Sequence, residues 1–165
     1  MNTPVFYSRI AAILLFTMLI ACQKQFDKTY EVNEVGLNPN SASKVKLKSN
    51  EQYVSILYTN LFQQALPGNQ LIDLSDCIES IGDKALAHQV VVSNFMNKPG
   101  LILPSNINMR DNPDAFITAT YKRFLIRLPT EGEKLWFKNF IQSNPQLTPE
   151  LVYVAFALSN EYAYY

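Results

Sequence analysis

The sequence predicts an all-α protein: two pseudo-repeated three-helix units packed as one helical bundle, after a flexible N-terminal tether. Three observations carry that expectation. From residue 49 onward, apolar residues recur at spacings of three and four, the period of a helix with one buried face. The runs open on Ser, Thr, Asp or Asn and are broken by Pro or Gly, as at Pro67-Gly68, Pro99-Gly100 and Pro129. The aromatic-led opening of the first run, Tyr53-Val-Ser-Ile-Leu-Tyr58, returns as Phe116-Ile-Thr-Ala-Thr-Tyr121.

Before the helices comes an address. Arg9 precedes the apolar run Ile10–Ala21, which falls short of the roughly 20 residues that cross a bilayer core. Residues 1–21 therefore read as a signal peptide. Its end, Leu19-Ile20-Ala21-Cys22, resembles the bacterial lipobox, in which Leu, a small or aliphatic residue, and Ala or Gly precede a cysteine. The resemblance implies that the Cys22 sulfur takes a diacylglyceryl group, that a signal peptidase cuts before it, and that the new amino terminus is acylated. Each buried chain methylene contributes about 0.8 kcal/mol, and two or more chains anchor stably without a spanning helix. Gln23, where some sorting rules read Asp as an inner-membrane signal, leans towards the outer membrane.

Residues 22–48 form the lipidated N-terminus and linker. Asn38-Pro39-Asn40-Ser41-Ala42-Ser43 is turn-rich, and Lys44, Lys46 and Lys48 alternate with Val45 and Leu47. A solvated tether is the expectation there, with a short strand competing.

The helical domain spans 49–165, with pseudo-repeats at 49–97 and 112–165. Ser49-Asn50-Glu51-Gln52 reads as a capping box for a helix carrying Tyr53, Ile56, Leu57 and Leu61. A second helix carries Leu71, Leu74, Ile78 and Ile81, ending at Gly82. A third, from Asp83, carries Leu86, Val90 and Phe95, although Val90-Val91-Val92 also suits a strand. Residues 97–111 read as a loop. Asn112-Pro113 opens a fourth helix with Phe116, Ile117, Thr120, Tyr121, Phe124 and Leu125, Asn112 acting as cap. Thr130-Glu131-Gly132-Glu133 is a second capping box, ahead of Leu135, Trp136, Phe140 and Ile141, with Trp136 expected in the core. Thr148-Pro149-Glu150 opens the last helix, carrying Leu151, Val152, Ala155, Phe156 and Leu158.

In the second half Tyr121, Leu125, Arg127, Pro129, Gly132 and Trp136, followed by Ser159-Asn160-Glu161-Tyr162, resemble the phycobilisome-linker-like helical repeat of secreted and surface bacterial proteins. The likeness covers about residues 112–165. It departs in having one residue fewer between Arg127 and Gly132, and the first half has Gln63 and Gln64 in place of the arginine. Members of that family are mostly scaffold or linker modules, so the resemblance implies assembly rather than catalysis.

Composition narrows the chemistry. With 14 basic and 14 acidic side chains there is no nucleic-acid footprint. Once Cys22 is acylated, Cys77 is the one remaining thiol, so no internal disulfide forms; beside Leu74 and Ile78 it reads as a small buried hydrophobe. One histidine, His88, and no Cys-x-x-Cys pattern leave a metal or haem site without ligands, and no Gly-rich phosphate loop is present. No cofactor is expected. Asp73, Asp76 and Glu79 read as a solvated face.

The expected function is non-catalytic: a lipid-anchored envelope module binding another envelope protein. Arg123 and Arg127, four apart on one helix side, and the terminal Tyr164 and Tyr165 are the candidate contact residues. Arg127 has a competing role, pairing with Glu161 or capping carbonyls to pin the repeat. A glycan hydrolase using two of Glu131, Glu133 and Glu150, and a lipoprotein holding a small ligand between its halves, are the alternatives.

Overall fold

The computed structural model describes residues 44–164. The signal segment, Cys22, the tether up to Ser43, and Tyr165 lie outside the described residues. Among the described residues are seven α-helices and one 3-10 turn, and no strand: α1 Asn50–Phe62, α2 Gly68–Ser80, α3 Lys84–Met96, α4 Asn106–Asp111, α5 Pro113–Leu125, α6 Glu131–Ser143, α7 Pro149–Ala157, and the turn Glu161–Ala163.

The helix starts follow from local chemistry. Both capping boxes form: Gln52 N–H donates to Ser49 Oγ at 3.2 Å while Ser49 N–H donates to Gln52 Oε1 at 2.9 Å, and Thr130 and Glu133 do the same. Asp83 accepts from Ala85 and Leu86, and Thr148 from Leu151 ahead of Pro149 at the first helical position. Asn112 differs from expectation. Its side chain makes no cap bond; its own N–H closes α4 onto Asn108 O at 3.2 Å, and its backbone, at φ −131 and ψ 61, turns directly into Pro113.

The stretch 97–111 is loop only as far as Ser105. Ser105 Oγ accepts from Asn108 N–H and starts α4, which buries Met109. Arg110 on α4 donates to the carbonyls of Ile141, Asn144, Pro145 and Leu147, gathering the orphan acceptors at the C-terminus of α6. The triple-valine stretch is helical, since Val91 and Val92 pack into the core while Val90 points outward.

In the core, α1 packs on α2 and α3, α5 on α6 and α7, and α3 meets α7. The two aromatic clusters are Tyr58, Phe62 and Phe95 on one side, and Tyr121, Phe124, Tyr153 and Phe156 on the other. Tyr162, fully buried, joins them: its ring meets Tyr53 edge-on at 5.6 Å and Phe124 at 5.7 Å. Tyr53 Oη donates to Ala157 O at 3.0 Å, and Asn60 Nδ2 donates to Tyr162 Oη at 3.0 Å, so both buried hydroxyls are satisfied.

Three faces depart from the expected register. On α3 the inward residues are Ala87, Val91, Val92, Phe95 and Met96, and Leu86 and Val90 are exposed. On α6 Ile141 is buried, but Leu135 and Trp136 are exposed, each at about 60%. On α7 Leu151 is exposed beside buried Val152. In each case apolar residues occur around most of the helix, so spacing alone does not choose the inward side.

Candidate functional site

Ile126 ends α5 in the left-handed region, at φ 53 and ψ 36. That conformation is strained for a β-branched side chain, and it turns the next residue, Arg127, back into the protein. Arg127 is 9% exposed. Nε and Nη2 donate to the Glu161 carboxylate at 2.7 and 2.8 Å, Nη1 and Nη2 to Glu133 at 2.9 and 2.7 Å, and Nη1 also to Leu128 O at 3.1 Å. All five N–H groups of the guanidinium are thus engaged. Its Cζ lies 4.9 Å from the Tyr121 ring centroid. The pairing with Glu161 and the capping of a carbonyl, weighed from sequence against an external contact, both occur, and they leave Arg127 no donor for another molecule.

Electrostatics follow from this geometry. Hydrogen bonds from Arg127 hold the Glu133 carboxyl down at about 2 and lower Glu161 in the same sense. Burial, with the Glu133 charge, pushes the Tyr121 hydroxyl up to about 12. A cavity of about 240 Å³ opens beside the cluster, walled by Tyr121, Leu125, Phe137 and Phe156.

The segment preceding α1 is docked here. Lys44 Nζ donates to Leu125 O at 2.6 Å and pairs with Glu161 at 3.3 Å. Lys48 Nζ donates to Tyr162 O and Tyr164 O, its N–H bonds Ala163 O at 2.9 Å, and Leu47 forms an isolated antiparallel bridge with Tyr164. The expected solvated face therefore does not hold for Lys44 and Lys48; the competing strand reading has a counterpart in that one bridge. Burial lowers Lys48 to about 8, with the Lys44 charge adding to it. Tyr164, tied to this strap through its backbone, is 38% exposed.

Arg123 lies on another surface. Its Nη1 donates to Ile102 O at 3.2 Å, and its guanidinium sits 5.4 Å from the Tyr153 ring. With Lys122, Ala119, Thr59, Asn60 and Gln63 it lines an open depression of about 450 Å³ between the C-terminal ends of α1 and α5. The sequence pairing of Arg123 with Arg127 on one helix side fails because Arg127 lies beyond the helix, past the left-handed Ile126.

Trp136, expected in the core, instead stacks on Phe140 in the open, centroids 5.2 Å apart and planes 8° apart. His88 stacks on Tyr53 at 3.9 Å, and burial, then the Lys84 charge, lowers its pKa. Asp73, Asp76 and Glu79 are exposed on α2, and among the described residues no group of three His, Cys, Asp or Glu could hold a metal ion. Cys77 is half-buried. Among the described residues no helix is long and apolar enough to cross a membrane.

Sequence reasoning missed Arg110 and Lys44. Neither has a local partner in sequence; each reaches carbonyls at a distant helix end. Comparison with protein-family models, with characterised proteins and with solved structures finds no match, so the likenesses to the lipobox and to the phycobilisome-linker-like repeat rest on the residues quoted above.

Proposed function

We propose that this chain is a non-catalytic, lipid-anchored helical module of the cell envelope, held at a membrane through Cys22 and docking another envelope protein. An outer-membrane address, from Gln23, belongs to the same reading. The observation that carries the docking is the depression at Arg123. An arginine fixed by a backbone carbonyl and an aromatic face, with Lys122 beside it and the polar side chains of Thr59, Asn60 and Gln63 opposite, offers preorganised donors to an acidic segment. Its open form suits a protein surface better than a small molecule. Tyr164, and Tyr165 following it, form a second candidate contact.

The architecture belongs to this proposal: a three-helix unit duplicated. Support comes from paired positions that keep one offset from α1 to α5 and from α2 to α6, and a similar helix end, at a slightly different offset, in α3 and α7. Tyr53, Val54, Leu57, Leu61 and Phe62 in α1 correspond to Phe116, Ile117, Thr120, Phe124 and Leu125 in α5, all buried. Gln63 and Ile126 close these helices at the same left-handed φ of 53, and α2 and α6 each run 13 residues. Asn97 and Leu158 close α3 and α7 with φ and ψ near −92 and 0.

A hydrolase reading loses support at its best-placed carboxylate. A general acid needs a raised pKa, whereas Glu133, one of the three carboxylates considered for that role, is held ionised by Arg127. The cavity beside it, about 240 Å³, is below the roughly 300–1,000 Å³ of most small-ligand pockets.

The test is site-specific photocrosslinking in the native host. A photoreactive residue at Ala119 should yield one discrete adduct with a membrane-associated protein, and Arg123→Glu should abolish it. Absence of an adduct at Ala119, or an adduct indifferent to Arg123→Glu, would overturn the docking role.

A further inference from the structure

We infer that the exposed aromatic face of α6 rests on the bilayer to which the chain is tethered, Trp136 and Phe140 entering the headgroup region; this rests on the anchored reading above. The two rings form a rigid plate. Phe137 meets Trp136 edge-on at 5.5 Å and Phe140 at 6.3 Å, and itself packs on core Phe156 at 5.6 Å, so the plate is braced from behind. Trp136 is 60% exposed and Phe140 38%. Trp at a lipid–water boundary gains from burying its ring while its N–H stays near polar groups.

The charge around the plate suits an anionic lipid surface. Between Lys134 and Ser143 the helix carries Lys134 and Lys138 and no carboxylate. The ion pairs of these lysines, with Glu131 at 3.0 Å and Asp114 at 2.9 Å, are surface pairs of small worth, and both lysines flank the rings as cationic residues flank interfacial aromatics. The corresponding helix of the first half, α2, exposes Asp73, Asp76 and Glu79 instead.

The route of the chain brings this face to the membrane. Lys44 pairs with Glu161, Glu161 with Arg127, and Arg127 with Glu133 in the first turn of α6. The chain coming from Cys22 thus joins the fold beside α6. The stretch from Cys22 to Lys44 spans on the order of 75 Å at most when fully extended, which keeps α6 within reach of the bilayer.

Trp136 is the single tryptophan of the chain, so its fluorescence reports this face alone. The full lipidated protein, reconstituted into phosphatidylethanolamine–phosphatidylglycerol vesicles, should float with them. Trp136 emission should be blue-shifted, shielded from acrylamide, and quenched when brominated phospholipid is included. Protein that floats while Trp136 stays open to acrylamide and untouched by brominated lipid would overturn the lipid contact and leave the anchor standing. Protein that neither carries acyl chains nor floats would remove both. A photoreactive residue at position 136 that yields a discrete protein adduct in native membranes would overturn the proposal in favour of a protein occupant.

Discussion

At Arg127 the guanidinium satisfies two carboxylates and a carbonyl at once, and removing it leaves Glu161 to Lys44 and Glu133 to Thr130. Arg127→Ala is expected to lower unfolding free energy by about 2–3 kcal/mol in denaturant titration. That is less than the roughly 3–5 kcal/mol of a fully buried pair, since both glutamate side chains keep about a third of their surface in water. Arg127→Lys should recover little, because an ammonium cannot present the five-donor fork. The same cluster sets an acid limb. The carboxyl of Glu133 lies at about 2 in the folded chain against an ordinary 4.5, and that of Glu161 is lowered too. In that window the unfolded chain binds more protons, so the stabilisation is full above pH 4.5 and is lost as the pH falls towards 2. Denaturation midpoints at pH 6, 4 and 3 should fall in that order, and Arg127→Ala should flatten the decline. Ile126, half exposed at φ 53, is a strained point beside the cluster. Ile126→Asn, which tolerates that conformation, should raise stability by about 1 kcal/mol; a loss of stability would contradict the strain.

At the level of the helix, α6 separates burial from apolarity. Ile141→Ala is expected to cost about 2–5 kcal/mol, whereas Trp136→Ala should change stability by less than about 1 kcal/mol despite deleting the larger side chain. Equal losses at the two positions would put Trp136 back in a packed interior. This helix also shows how far sequence reasoning reached. Its start was legible, because Thr130 and Glu133 form a reciprocal cap that needs no tertiary context. Its inward face was not, because Leu135, Trp136, Phe137, Phe140 and Ile141 surround most of the cylinder. In α5 the apolar residues fall on one side, and all six expected core positions, Phe116, Ile117, Thr120, Tyr121, Phe124 and Leu125, are buried. The short α4 escaped notice because Asn-Ile-Asn-Met-Arg-Asp lacks helical propensity; Ser105 and the carbonyls gathered by Arg110 hold it in tertiary structure. Arg110→Ala is expected to loosen the end of α6 and lower stability by about 1–3 kcal/mol, read as faster amide exchange at Asn144 and Leu147.

Across the whole molecule, the C-terminal half is tied to the segment that precedes the first helix. Lys44 and Lys48 bond the carbonyls of Leu125, Tyr162 and Tyr164, so the chain is fixed to the C-terminal half before α1 begins. The first turn of α6 and the incoming chain are thereby joined by one set of charges, of which the sequence disclosed the Arg127–Glu161 pair but not the lysine strap. In the proposed function this arrangement works as a docking module at a membrane, and that role depends on the chemistry of one cysteine. Intact-mass analysis of the protein purified from native membranes tests that most directly. The expected species begins at Cys22 and carries two or three acyl chains; a chain that begins elsewhere with an unmodified amino terminus would contradict the account.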